Sequence, residues 1–190
     1  METLVALIVG LGLAAACGLR VFLPLLVLSL GARAGLIHPG DSFAWVASWP
    51  AIIALSTATI VEIAGYYIPW VDNALDTIAT PAAAISGTLA VLIGTHGHVD
   101  SIHPMLSWAG ALIGGGVATT VQTGTVAARS ASTVTTAGIA NPILSTLENI
   151  GAAILSFLAV AIPIGLGLIL LAIVGWYVSR RLRKPTLAPA

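Results

Sequence analysis

Apolar residues run along this chain in five long stretches, each bounded or interrupted by Gly, Pro or a few polar side chains. The first spans Thr3 to Ala34. As one straight helix it would be about 48 Å long, against a hydrocarbon core of about 30 Å. Gly18, Arg20 and Pro24 lie near its middle. Because Pro removes a backbone donor and crowds the preceding turn, the pattern predicts a broken helix or two half-helices. After a loop at His38-Pro39-Gly40, the second stretch covers Ser42 to Ile68, interrupted at Pro50 and carrying Glu62 near its far end. Pro69 to Asp72 reads as a tight turn, with Tyr66, Tyr67 and Trp70 placed as an interfacial aromatic belt. Asn73 to Gly94 is the third stretch. The polar loop Thr95 to His103 leads into the fourth, Pro104 to Thr136, which again exceeds one span and holds Gly114, Gly115 and Gly116. The last runs from Pro142 to Tyr177 with Pro163 in the middle, and residues 185–190 read as a disordered tail.

Two of these stretches resemble each other. Asn73 to Val91 and Pro142 to Val160 align without gaps and share Leu75/Leu144, Thr77/Thr146, Ala83/Ala152, Ala84/Ala153, Ile85/Ile154 and the run Leu89-Ala90-Val91/Leu158-Ala159-Val160. Each opens on polar residues suited to a helix start: Asp72, Asn73 and Asp76 in one, Asn141-Pro142 and Ser145-x-x-Glu148 in the other. A weaker match sets Gly31-Ala32-Arg33-Ala34 against Ala127-Ala128-Arg129-Ser130. The expected architecture is an all-α polytopic membrane bundle of about five spans, with broken or re-entrant segments. Two degenerate repeats, residues 3–94 and 104–178, lie within a single domain of residues 1–184.

Composition strengthens the membrane reading. Of the 190 residues, 58% are hydrophobic and 7% charged, against roughly a quarter charged in a typical soluble domain. Net charge is zero, which provides no basic face for nucleic acid. Four of the seven basic residues, Arg180, Arg181, Arg183 and Lys184, follow the last apolar stretch. By the positive-inside bias that end is cytoplasmic, and the expected location is the inner membrane of a bacterium, with the N-terminus outside. Cys17 is the only cysteine, so no intrachain disulfide forms. Met1 to Gly18 lacks the basic start of a signal peptide, and its apolar run continues past Cys17. It is expected to be a retained span.

A few polar residues stand out against this background. Arg20 lies deep in the first stretch, where a charge requires a partner or water. Glu62 and Glu148 are its candidate partners. In the fourth stretch, Gln122, Thr125, Arg129, Ser132 and Thr136 fall on one helical stripe. Such a stripe faces protein or a water-filled cavity, since lipid cannot satisfy those groups; alternatively, the hydroxyls bond back to their own helix and aid close packing. Glu148 and Asp76 could bind a cation or relay a proton, or act only as helix-start groups. The His96, His98, Asp100 and His103 loop has metal-binding residue types without an established zinc spacing, and no metal or cofactor is expected. Neither a nucleophile triad, a phosphate-cradling loop nor an HExxH pattern is present, so the chain is not expected to be an enzyme.

Gly18-Leu19-Arg20-Val21-Phe22-Leu23-Pro24-Leu25-Leu26, Ile68-Pro69-Trp70-Val71-Asp72, and Asn141-Pro142 with Ser145-x-x-Glu148 together resemble a family of small bacterial integral-membrane proteins defined as a domain of unknown function. The resemblance covers nearly the whole chain and implies multi-span architecture, with no activity attached. Gln122 and a run of threonines stand where the family leads one to expect a basic residue or His before the Arg129 helix. The leading functional expectation is a channel or transporter for a small solute or ion. Arg20, Arg129, Glu148 and Glu62 would line or gate a polar path, assisted by Gln122, Thr125 and Ser132. The rivals are a non-transporting scaffold and a lipid-handling protein whose arginines meet headgroup phosphates. Expected partners are the lipid bilayer, a small solute or ion, and further copies of the chain.

Overall fold

The structure is a computed structural model and describes residues 2–96 and 104–182. Within them the chain is helical: α1 (Glu2–Cys17), α2 (Phe22–Arg33), a 3₁₀ helix (Asp41–Ala47), α3 (Trp49–Gly65), α4 (Pro69–His96), α5 (Pro104–Thr136), α6 (Asn141–Ala161) and α7 (Pro163–Leu182). The loop residues His98, Asp100 and His103, the His96 side chain and the tail expected at 185–190 lie outside the described residues.

The first apolar stretch breaks where its Gly, Arg and Pro predict. The last turn of α1 closes as the Leu19 and Arg20 amides donate to the Ala16 carbonyl at 2.9 and 3.0 Å, and α2 begins at Phe22. Pro24 then sits in the first turn of α2, where its missing N–H breaks no helical bond. Pro163 divides the last stretch in the same way, opening α7 after Ile162. Pro50 lies in the first turn of α3, whose N-cap Ser48 accepts from the Ala51 amide. The expected turn at Pro69 to Asp72 falls slightly earlier, at Tyr66 to Ile68. Pro69 itself begins α4, again because a first-turn proline has no helical hydrogen bond to lose.

The fourth stretch differs from expectation, since α5 is a single helix of 33 residues. Its glycines produce close approach instead of a break. A Cβ on Gly114 would lie 2.8 Å from the Gly87 carbonyl oxygen of α4, and one on Gly115 would lie 3.0 Å from that of Ala84. α4 packs most extensively on α5 and α1, and α1 also touches α6. The residues matched between α4 and α6 show the same faces. Ala83 and Ala152 are fully buried, as are Ala90 and Ala159, whereas Ile85 and Ile154 are exposed. Thr77 and Thr146 each donate to the carbonyl four residues back.

Two helical segments, Val71–Thr95 and Asn141–Ala161, are long and apolar enough to cross a membrane. The 3₁₀ helix and α3 together make a third candidate, bent by 61°. Leu4–Cys17 and Phe22–Arg33 are apolar but shorter. Exposed Ile53, Ile60, Ile78, Ile85, Ile154 and Phe157 give these candidate segments an apolar outer surface, as lipid contact requires.

Gly18 fixes how α1 meets α5. A Cβ there would lie 2.5 Å from both the Ala118 carbonyl oxygen and the Val121 Cβ, neither of which is a flexible end. Gly18→Ala is therefore expected to destabilise the protein by about 1–3 kcal/mol, measured as a lowered unfolding midpoint in detergent. An unchanged midpoint would mean that α1 and α5 do not make this contact.

Candidate functional site: a buried ion-pair network

Arg20 and Arg129 are the two largest fully buried side chains among the described residues, at 1% and 2% exposure. Their surroundings follow from the breaks and turns just described. The loop between α1 and α2 points Arg20 toward α6. There its Nη1 donates to Glu148 Oε2 at 2.7 Å and to the Leu19 carbonyl, its Nη2 to the Ser145 carbonyl, and its Nε to Asn149 Oδ1. Arg129 arrives from α5. Its Nε and Nη2 donate to the two oxygens of Glu148 as a fork, and its Nη1 is shared between Asp72 Oδ1 at 3.0 Å and Asp76 Oδ1 at 2.8 Å on α4. Glu148 Oε2 thus bridges both guanidinium groups. Both also lie over the Tyr66 ring, with guanidinium carbons 4.1 and 4.0 Å from its centroid, a favourable placement for cations.

The network ties together the α1–α2 break, α4, α5 and α6. Buried charges are tolerated only when paired and hydrogen-bonded. Here Arg129 makes four charge-assisted bonds to three carboxylates. Asn141 extends the network by donating from Nδ2 to Asp72 Oδ2 and to Thr133 Oγ1, both at 3.1 Å.

Glu62 lies outside this pairing. It reaches from α3 to the start of α2, where its two carboxylate oxygens accept from the Val21 and Phe22 amides at 2.7 and 3.0 Å. Because the N-cap Val21 has no capping side chain, a residue from another helix supplies the cap. Removing it in Glu62→Ala should cost about 1–2 kcal/mol, and native-state exchange of the Val21 and Phe22 amides should accelerate. If their exchange is unchanged, the cap assignment is wrong.

The residues expected to start helices have other partners. α4 begins at Pro69 and α6 at Asn141, so Asp76, Ser145 and Glu148 lie beyond the first turn. Ser145-x-x-Glu148 is consequently no capping box, and α6 has no side-chain cap hydrogen bond. Asp72 is in the first turn of α4, but its carboxylate bonds Arg129 and Asn141. Asn73 is exposed, and its carbonyl accepts from Thr77.

On the α5 stripe, Gln122, Arg129 and Ser132 are buried and Thr125 and Thr136 half-buried, so the stripe faces protein. Hydroxyls on and off the stripe are turned to their own helix: Thr136 on the stripe and Thr119, Thr120, Thr123 and Ser130 beside it each donate to the carbonyl four residues back, and Thr125 on the stripe to that of Gln122. Arg33, matched by sequence to Arg129, has a different setting. It donates to the Ala47 carbonyl and lies over the Trp49 ring.

Three hollows border the network. A cavity of about 300 Å³ at the α4 start and α5–α6 turn is lined by Tyr66, Asp72, Asn73, Thr133 and Asn141, among others. A cleft of about 360 Å³ between α5 and α6 includes Leu19, Val121, Thr125, Leu144 and Glu148. The third, about 530 Å³, is mainly apolar and lies between α3 and α4, with Glu62 and Tyr66 on its wall. Asp72, Arg129 and Glu148 form a connected bridge between the first two. Among the described residues no group of three or more His, Cys, Asp or Glu is arranged to hold a metal ion.

A family model described as a domain of unknown function, DUF4126, matches residues 7–184. The chain belongs to the DUF4126 family. The match includes every member of the network and both helix breaks. Comparison with curated proteins and with solved structures gives no match. Two network residues of this DUF4126 chain were not legible as such. Tyr66 looks like an interfacial aromatic, and Asn149 carries no signal beyond its position beside Glu148. The local cue for Tyr66 is its position just before the Ile68-Pro69-Trp70-Val71-Asp72 motif, which starts the helix bearing Asp72.

Proposed function

We propose that this DUF4126 protein is a membrane transport protein for a small solute or ion, with Arg20, Glu148, Arg129 and Asp72 forming its closed gate. The observation carrying this reading is the position of the bridge: Asp72 lines one cavity, Glu148 lines another, and Arg129 bonds both. A gate of ion pairs exchanges one set of partners for another as it opens, and arginines with several carboxylate partners suit that exchange. Gln122, Thr125 and Ser132 lie along the α5 side of the path, with no catalytic step in it. Glu62 acts by fixing the α1–α2 break that carries Arg20.

The fuller architecture in this proposal has about five crossings, the first and last broken, in two degenerate repeats. The like faces of α4 and α6 support the repeats. The basic block beginning at Arg180 supports a cytoplasmic C-terminus in a bacterial inner membrane. Lipid and further copies of the chain are its expected partners, without nucleic acid.

The test is flux through proteoliposomes, using a panel of protons, sodium, potassium, chloride, urea and glycerol. At least one protein-dependent flux is expected, changed at least tenfold by Glu148→Gln in protein that remains folded. If no solute in the panel moves faster than through empty vesicles, the transport reading is overturned. The back-bonded hydroxyls of α5 favour a second reading, a scaffold whose network serves stability alone. It predicts no flux and the same stability losses.

A further inference from the structure

The ion-pair network is unequal in charge. Two guanidinium groups, Arg20 and Arg129, are bonded to three carboxylates, Asp72, Asp76 and Glu148. Glu148 accounts for the fork of Arg129 and the Nη1 of Arg20, which leaves Asp72 and Asp76 to share the single Nη1 of Arg129. Two carboxylates at one nitrogen, in a segment apolar enough to cross a membrane, cannot both remain charged without large cost. At the corresponding positions of α6, Asn141 and Ser145 are neutral.

A second observation points the same way. Asn141 is 9% exposed, and its Nδ2 donates to Asp72, yet its Oδ1 is buried with no hydrogen-bond donor. A buried acceptor without a donor carries a cost of about 1–3 kcal/mol. A proton on the Asp72 side of the pair could donate to that oxygen once the amide turned about its Cβ–Cγ bond.

We propose that Asp76 and Asp72 form a proton-binding site that holds one proton between them, with Asp76 as its principal carrier. Asp76 is the most accessible charged side chain of the network, at 14% exposure, compared with 3% for Asp72 and 9% for Glu148. The adjoining cavity is lined by Asp72 together with Tyr66 and Asn141 and not by Asp76, so exchange with it runs through Asp72. The groups facing Asp76 are Arg129 from α5, Arg20 from the α1–α2 break, Tyr66 from the turn and Asp72 on α4. Glu148 of α6 lies behind Arg129, and Glu62 of α3 is engaged at the start of α2. Uptake converts one carboxylate to a carboxylic acid, whose O–H can donate to the other aspartate while Arg129 keeps its bond to the one that stays charged.

The site's role in gating rests on the transport reading, but its test measures protonation without flux, so failure of one is distinguishable from failure of the other. The experiment is infrared spectroscopy of the full chain in nanodiscs at neutral pH, with ¹³C-carboxyl aspartate to separate Asp from Glu. The expected result is one protonated aspartate per chain. Its isotope-shifted C=O band should be lost in Asp76→Asn, and also in Asp72→Asn, where Asp76 remains but its like-charged neighbour is gone. If Asp76→Asn does not fold, Asp72→Asn alone decides. Absence of the band from the unsubstituted protein, or its survival in either variant, would overturn the proposal.

Discussion

Arg129→Ala is expected to give the largest loss of stability of any single substitution in this protein, about 3–5 kcal/mol. The substitution removes one guanidinium but leaves Asp72 and Glu148 buried and Asp76 half-buried beside one another, with only Arg20 still bound to Glu148. The penalty comes mainly from those stranded carboxylates. Lysine should rescue only part of it, because a point charge cannot reproduce the fork on Glu148 together with the bond to α4. Reversible unfolding in mixed micelles measures both variants. A loss below about 1 kcal/mol for Arg129→Ala would place the pair among exposed, weakly coupled ones.

The second large effect belongs to Glu148. Glu148→Ala is expected to cost roughly 3 kcal/mol, somewhat less than Arg129→Ala, because each arginine keeps other partners. Arg20 retains Asn149 and the Ser145 carbonyl, and Arg129 retains Asp72 and Asp76. The double variant Arg129→Ala/Glu148→Ala should be more stable than the sum of the single losses predicts, by at least about 1 kcal/mol. Strict additivity in the same unfolding assay would mean that the two residues do not interact. The contrasting case is Thr123→Ala on the exposed face of α5, where the hydroxyl bonds only its own helix. It should alter stability by no more than about 0.5 kcal/mol.

Much of this arrangement was legible before the structure, but unevenly. Pro24, Pro50 and Pro163 marked helix boundaries because a missing N–H is a local property. Gly114-Gly115-Gly116 could not be read the same way, since whether glycines break a helix or admit a neighbour depends on what packs there. α4 does, and α5 stays whole. Arg20 and Arg129 stood out because a charge in an apolar run requires a partner. Their shared partner, Glu148, was visible only as one of two candidates for Arg20, and no carboxylate stood out as a partner of Arg129. The helix-start reading of Asp76, Ser145 and Glu148 failed because capping chemistry and tertiary ion pairing use the same residue types. Only the third dimension separates the two. Glu62 shows the reverse case, a carboxylate read as a charge partner that instead caps a helix at a distance of 40 residues along the chain.

As the proposed gate, the Asp72–Arg129–Glu148 bridge would seal the cavity at the α5–α6 turn from the α5–α6 cleft that Glu148 lines. The direct measurement is thiol labelling in intact membranes after Cys17→Ala, comparing single cysteines at Thr133, which lines the cavity, and Gln122, which is buried beyond the bridge. A small charged reagent should label Thr133→Cys readily and leave Gln122→Cys protected, and adding Glu148→Gln should open Gln122→Cys to the reagent. Equal labelling of both positions with Glu148 intact, or continued protection of Gln122→Cys in the folded Glu148→Gln protein, would contradict the claim that this network is the gate.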